Sequence, residues 1–235
     1  MDASIGIPRE EYERRRNAFE LSAWVNEKFR ALETSDAFER QYFERIGENI
    51  KPFIEEAIPV SRLGLHLSTP GKEVFVRCFS DNRPYDAEIE LDHSGRNRFR
   101  VEVTTTDEPP ASTIRRQALS RNGMVSLTGS MRREGRSVSD EPQMINVAEE
   151  EERQVQLALS RLKRKVESDR YDSSTAILVY LTDCWVWPLH DLRANLMRQT
   201  DHYLRTAEPN IHAVYFCYMQ NHCVDGMSAQ RPRHF

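Results

Sequence analysis

Two alternating segments separated by a turn constrain this chain most, because together they fix one antiparallel hairpin and its register. Residues 85–91 and 98–105 both alternate apolar with polar side chains. Residues 92–97, with the sequence DHSGRN, supply the residue types that turns require. With the turn centred on Ser94, one face of the hairpin is entirely apolar. That face is predicted to belong to a core, and the other face is charged.

The charged face sets acids against bases at its two positions nearest the turn, and then sets two acids against each other. The complementary pairs are Glu90 with Arg98 and Glu88 with Arg100. The next pair, Asp86 opposite Glu102, sets like charges about 5 Å apart at Cβ, which destabilises a sheet. A divalent cation would turn that repulsion into ligation, since carboxylate oxygens suit Mg²⁺. The alternative is a solvated face on which both acids point into water.

Composition indicates a folded protein with a polar surface and limits the function classes. The chain has 235 residues, 39% hydrophobic and 30% charged, with a formal net charge of −4. Bulk charge therefore excludes general coating of nucleic acid, and any such contact needs a local basic surface. The longest apolar run is too short to span a bilayer and no secretory signal is seen, so we expect a cytoplasmic protein without membrane partners. Cys217, His222 and Cys223 lack a fourth ligand at zinc-finger spacing.

Periodicity predicts an α/β fold with a central mixed β-sheet that contains an antiparallel meander and is flanked by helices. Helical spacing is seen over residues 9–32 and 35–58, whereas alternating leucines predict a strand over residues 63–67. The predicted organisation is an N-terminal helical extension at 1–35, a single domain at 36–225 with a basic, irregular insertion at 106–148, and a tail at 226–235.

The order of elements and two short motifs resemble the PD-(D/E)xK nuclease superfamily, the fold of many restriction enzymes and repair nucleases. That family's core runs helix, three-strand meander, helix, strand. Its first acid often follows a proline on one hairpin strand, and Glu-x-Lys or Asp-x-Lys lies on the next. Here Pro-Tyr-Asp stands at 84–86 and Val-Glu-Val-Thr at 101–104, and a lysine-bearing helix precedes the apolar segment 175–180. The resemblance covers roughly residues 36–182.

The resemblance implies metal-dependent hydrolysis of phosphodiester bonds in DNA, with RNA as the second choice. Asp86 and Glu102 would then hold Mg²⁺ or Mn²⁺. The alternative is a non-catalytic module on a degenerate nuclease fold that binds nucleic acid or protein, because a fold does not fix activity.

One position departs from the family pattern. Thr104 stands where the family has lysine, and a hydroxyl can position water but supplies no positive charge. Lys163 or Lys165 from the following helix could supply the missing charge. Glu55 or Glu56, near the end of the second predicted helix, could complete the ligands of the metal.

Arginines concentrate between residues 114 and 136, and we predict them to contact nucleic acid, because guanidinium groups bind phosphate in a bidentate manner. They are Arg115, Arg116, Arg121, Arg132, Arg133 and Arg136. The alternative is a solvated loop that pairs with the acidic run 149–152. Trp185 and Trp187 could pack in the core, stack on a base or form a homodimer contact.

Overall fold

The computed structural model describes residues 6–92, 97–107, 111–122, 129–134, 137–142, 146–182, 189–219 and 223–229. In these residues a seven-stranded mixed sheet is flanked by helices, which is the α/β class that periodicity predicts. The helices are α1 (Arg9–Tyr12), α2 (Ala18–Glu33), α3 (Phe38–Glu44), α4 (Ile50–Pro52), α5 (Ile58–Leu67), α6 (Ala111–Asn122), α7 (Val147–Val166) and α8 (Leu189–Ala207). A π-helical segment, Phe53–Ala57, joins α4 to α5.

The strands form one main sheet and a separate hairpin. They are β1 (Arg16–Asn17), β2 (Phe75–Cys78), β3 (Ala87–Glu90), β4 (Arg98–Thr105), β5 (Gly129–Glu134), β6 (Ser137–Pro142), β7 (Thr175–Leu181), β8 (Ala213–Tyr218) and β9 (Val224–Ser228). The main sheet has the order β1-β2-β3-β4-β7-β8-β9, and β5 pairs only with β6. Strands β1 to β4 form an antiparallel meander, whereas β4, β7 and β8 run parallel and β9 is antiparallel to β8.

The register predicted for the hairpin is confirmed. Glu90 pairs with Arg98 and Glu88 with Arg100, as the turn centred on Ser94 requires. The ladder ends at the pair of Ala87 with Val101. Strand β3 therefore begins at Ala87, and Asp86 is the residue directly before it.

Side-chain alternation along the central strands builds a core on each face of the sheet. On β7, Leu178 faces the core that α2 and α5 cover, whereas Ile177 and Val179 face the core that α7 and α8 cover. All seven residues of β7 are buried, as expected for a parallel strand covered on both faces. This layering brings α7 close to the face of β4 that carries Glu102.

The strand predicted over residues 63–67 is wrong, because this segment continues helix α5. Its alternating leucines also fit a helix, since Val60, Leu63 and Leu67 follow the spacing of the preceding apolar stripe. Gly64 is a poor helix former, and its place inside α5 has a packing reason. A Cβ atom there would lie 3.1 Å from Val76 Cγ2 and 3.4 Å from Ala18 Cβ, so glycine allows α5 to approach both elements closely.

Residues of the predicted N-terminal extension and of the predicted tail both take part in the sheet or its core. Tyr12 and Leu21, within the predicted extension, lie in the same hydrophobic cluster as the sheet residues. Strand β9 runs to Ser228, two residues past Gly226, where the tail was predicted to begin. The predicted irregular insertion contains α6 and the β5–β6 hairpin. No helix in the described part of the chain is long and apolar enough to cross a membrane.

Candidate active site

Glu102 lies in the middle of β4 and is the centre of the candidate site. Only 8% of the surface of Glu102 is exposed, which is exceptional for a glutamate. Its Oε1 atom forms an ion pair with Lys165 Nζ from the last turn of α7. A buried carboxylate needs such a partner, and the basic end of α7 also suits the helix dipole. A lysine ammonium therefore lies beside Glu102 although Thr104 occupies the expected position on the strand.

The two candidate lysines of α7 point to different places, since residues two apart on a helix face nearly opposite directions. Lys163 Nζ lies 5.4 Å from the ring centroid of Tyr203, in a groove between α7 and α8. Of the two lysines that the sequence offered, only Lys165 reaches the carboxylates.

Asp86 is held next to Glu102 by hydrogen bonds to the backbone of Val101 and Val103, the two neighbours of Glu102. The ladder has ended at Ala87, and the amide of Asp86 donates to Val101 O at 2.8 Å. The carboxylate of Asp86 accepts the amide of Val103 at 2.7 Å through Oδ2, so it satisfies a group that β3 no longer reaches. Asp86 and Glu102 therefore do not form the predicted cross-strand ladder pair. The side chain of Asp86 instead accepts a hydrogen bond from the amide of Val103, which follows Glu102. Burial, followed by the charge of Glu102, raises the pKa of Asp86 to about 7.

Glu56, in the π-helical segment, is a third acid that interacts electrostatically with Asp86 and Glu102. Pro59 lacks the amide hydrogen that would bond the carbonyl of Glu55, which favours an irregular ladder in this stretch. Burial raises the pKa of Glu56 to about 8, and the charges of Asp86, Glu55 and Glu102 add to the effect. Glu55 instead pairs with Arg45 at 3.5 Å. Of the two acids left open by the sequence, Glu56 is the one that interacts with the other carboxylates.

Tyr171 is a member of the site that sequence reasoning did not assign. Its hydroxyl lies 3.5 Å from Lys165 Nζ, and burial together with the charge of Glu102 raises its pKa. No periodic pattern pointed to this role, because Tyr171 lies in the connection between α7 and β7. We call Glu56, Asp86, Glu102, Lys165 and Tyr171 the carboxylate–lysine site.

Thr104 shares a face of β4 with Glu102 and is buried. In the described residues, no three His, Cys, Asp or Glu side chains converge into a group able to hold a metal ion. The acids with the best case for ligation are therefore the adjacent pair, Asp86 and Glu102. That pair fits Mg²⁺, which keeps several waters and takes one or two carboxylates together with substrate phosphates.

The predicted basic surface is described only in part. Arg116 pairs with Asp107, and Arg115 lies on the same helix, α6. Arg121 is in α6, and Arg132 and Arg133 are in β5, but their side chains are outside the described part of the structure. Arg136, Trp185, Trp187 and His222 lie outside the described residues.

No protein-family model matches this chain, and no curated protein or solved structure is significantly similar to it. Function is therefore inferred from the geometry of the carboxylate–lysine site and from the order of the elements that build it.

Proposed function

We propose that this protein is a metal-dependent nuclease of the PD-(D/E)xK type that hydrolyses phosphodiester bonds in DNA, with RNA as the second choice. The observation that carries the proposal is the ion pair between Lys165 and Glu102 beside Asp86. It brings two acids and one lysine together, which is the set that the family motif supplies from two strands. Here the lysine comes from the next helix.

The order of elements supports the same proposal. Helix α5 precedes the meander β2–β3–β4, helix α7 follows it, and β7 then pairs parallel with β4. This is the sequence of elements in the core of that superfamily. Glu102 lies in β4 and Asp86 directly precedes β3, and the acid of the π-helical segment corresponds to the first-helix acid that some members use.

The side chains of the site have separable chemical roles. A bound Mg²⁺ or Mn²⁺ would supply a Lewis acid and a water of lowered pKa. The amide of Val103 orients Asp86. Lys165 presents positive charge beside Glu102, where it can stabilise the charge that develops on a phosphate oxygen. Glu56, with its pKa raised to about 8, holds a proton at neutral pH while the metal is absent.

A non-catalytic binding module on the same fold is the second candidate, and one observation favours it. The described residues contain no group of three metal-ligating side chains, and Lys165 already forms an ion pair with Glu102. A protein that lost catalysis would keep the basic surface and bind nucleic acid in a salt-dependent way without cleaving it.

The decisive experiment measures cleavage of plasmid and single-stranded DNA with Mg²⁺ or Mn²⁺ by the wild type and by Glu102→Gln. We expect the substitution to lower the rate about 100-fold or more, because it removes a ligand charge and leaves Lys165 without its partner. Glu88→Gln is the matched control. It makes the same chemical change on the neighbouring strand at a cross-strand pair with Arg100, and should leave the rate within about twofold.

Retention of full cleavage by Glu102→Gln would exclude this site as the catalytic centre. Equal, salt-sensitive DNA binding by both proteins without cleavage would instead establish the binding module.

A further inference from the structure

A group of arginines gathers at the end of β4, beyond the carboxylate–lysine site. Arg116 of α6 pairs with the carboxylate of Asp107, and Arg161 of α7 donates through Nη2 to the backbone oxygen of Asp107 at 2.6 Å. Arg45, which follows α3, interacts electrostatically with Arg116 and with Asp107. We call Arg45, Arg116 and Arg161 the arginine cluster. Two distant parts of the chain, α6 and α7, therefore bring guanidinium groups to a single residue, and the charge of Arg45 acts on the same place.

Among the residues that the structure describes, the acids around the arginine cluster do not balance its charge. Asp107 bonds Arg116 through one carboxylate oxygen and accepts the hydroxyl of Thr182 at 2.7 Å through the other. Glu55 pairs with Arg45 at 3.5 Å. Within the described residues, no carboxylate lies within ion-pair distance of Arg161. One positive charge is therefore left without an acid.

Three arginine Nε atoms are buried and lack a hydrogen-bond partner in the described structure. They belong to Arg45 and Arg161 of the cluster and to Arg115, the neighbour of Arg116 on α6. A buried donor left unsatisfied costs about 1–3 kcal/mol, so these arginines lack part of their full set of partners. A phosphate group would balance the charge of Arg161, because it is anionic and offers several oxygens to a guanidinium group.

The distance from the arginine cluster to the carboxylates of the proposed active site spans only a few nucleotides. Glu102 and Asp107 are five residues apart, which corresponds to about 16 Å of extended strand. One strand of a duplex carries a phosphate for about every 3.4 Å of helix axis. The cluster is therefore within reach of a phosphate at most about five nucleotides from the bond at Glu102.

We propose that the arginine cluster is a subsite for one backbone phosphate of the nucleic acid, on one side of the cleaved bond. The identity of the ligand as nucleic acid rests on the proposed function. Arg161 is the central residue of the subsite, since it contributes the unpaired charge and an unpartnered donor.

The test measures binding of a fluorescent oligonucleotide by anisotropy in EDTA, across a range of salt concentrations. Arg161→Gln should weaken binding about 3- to 10-fold and reduce the slope of log K against log salt by about 1. Arg164→Gln is the matched control, because Arg164 lies exposed on the same helix. Arg161→Lys is a second variant in case the first does not fold. It keeps the charge and the salt slope but loses the guanidinium fork, so its affinity should be intermediate.

Cleavage of substrates shortened one nucleotide at a time supplies a second readout. The wild-type rate should fall in one step when the contacted phosphate is removed, on one side of the cleaved bond only, and Arg161→Gln should show no such step. Identical binding by Arg161→Gln and Arg164→Gln would overturn the subsite even if Glu102→Gln abolishes cleavage. A reduced salt slope in Arg161→Gln, combined with full cleavage by Glu102→Gln, would support the subsite and refute the proposed catalytic centre.

Discussion

The acidic side chains at the two ends of one hairpin differ in their charge partners and in their surroundings. At the end nearest the turn, Glu88 and Glu90 lie across from arginines on a partly exposed face of the sheet. At the other end, Glu102 is buried and the half-buried Asp86 lies beside it, and desolvation raises the pKa of Asp86 to about 7. The same two strands therefore carry charge pairs that suit folding and a charge group that folding alone does not favour.

This contrast indicates which part of the hairpin carries a function. Opposite charges across an exposed ladder contribute little and need no further explanation. Acids gathered out of water destabilise the folded state unless a cation, a proton or a buried partner compensates them. Here Lys165 compensates Glu102, and the raised pKa values of Asp86 and Glu56 show that compensation is incomplete. Such an arrangement is typical of a catalytic or ligand-binding place.

The largest expected effect separates the two lysines of α7. Lys165→Met should lower the rate of DNA cleavage about 100- to 1000-fold, because it removes the positive charge nearest the carboxylates. Lys163→Met should leave the rate within about twofold, since Lys163 lies over Tyr203 in the groove beside α8. Single-turnover cleavage at saturating protein measures both variants on the chemical step.

A reversed result, with loss of activity in Lys163→Met alone, would place the chemistry in the groove between α7 and α8. Thermal melting of each variant controls for folding. Loss of the ion pair in Lys165→Met leaves Glu102 without its cation, so a lower Tm is expected for that variant only.

A smaller effect concerns pH, and its sign follows from the raised pKa values. An acid whose pKa is higher in the folded state binds its proton more tightly there, so it favours folding at low pH. For Glu56 and Asp86 this contribution is complete below about pH 4 and is lost as the pH rises through about 7 to 8. The free energy of unfolding of the metal-free protein should therefore fall over that range. Glu56→Gln should flatten the fall and stabilise the protein at about pH 9 by about 1–3 kcal/mol.

Thermal melting in EDTA at several pH values measures this effect, and each kcal/mol corresponds to about 2–4 °C for a chain of this size. Glu39→Gln, at an exposed position of α3, is the control and should change stability by no more than about 0.5 kcal/mol. A Tm of Glu56→Gln equal to or below that of the wild type at about pH 9 would contradict the assignment of a destabilising charge to Glu56.

The hairpin could be predicted from the sequence because its information is local. Alternation fixes the faces, and the complementary pairs fix the register, so Glu88 and Arg100 are found where the pattern placed them. The segment 63–67 could not be assigned in this way. Its leucines satisfy both periods, and the choice of helix depends on contacts of Gly64 with Ala18 and Val76, which lie far away in the chain.

The candidate site shows the same division between local and distant information. Spacing within β4 pointed to Glu102, and the acid opposite it followed from the register. Which lysine reaches Glu102 depends on the rotation of α7 over the sheet, and that rotation is set by its apolar residues Val155, Leu159 and Leu162. Tyr171 could not be found, since a residue in a connection carries no periodic signal.

The smallest expected effect tests whether the charge pairs at the turn end of the hairpin are as weak as surface ion pairs usually are. A double-mutant cycle with Glu88→Gln and Arg100→Gln should give a coupling free energy of only about 0.2–1 kcal/mol in urea unfolding. The value stays low because water screens both side chains and Asp172 competes for Arg100 at 3.7 Å. Added salt should reduce the coupling further. A coupling of several kcal/mol that persists in salt would show that charge pairs are strong along the whole hairpin. The contrast between its two ends would then no longer single out Glu102 and Asp86.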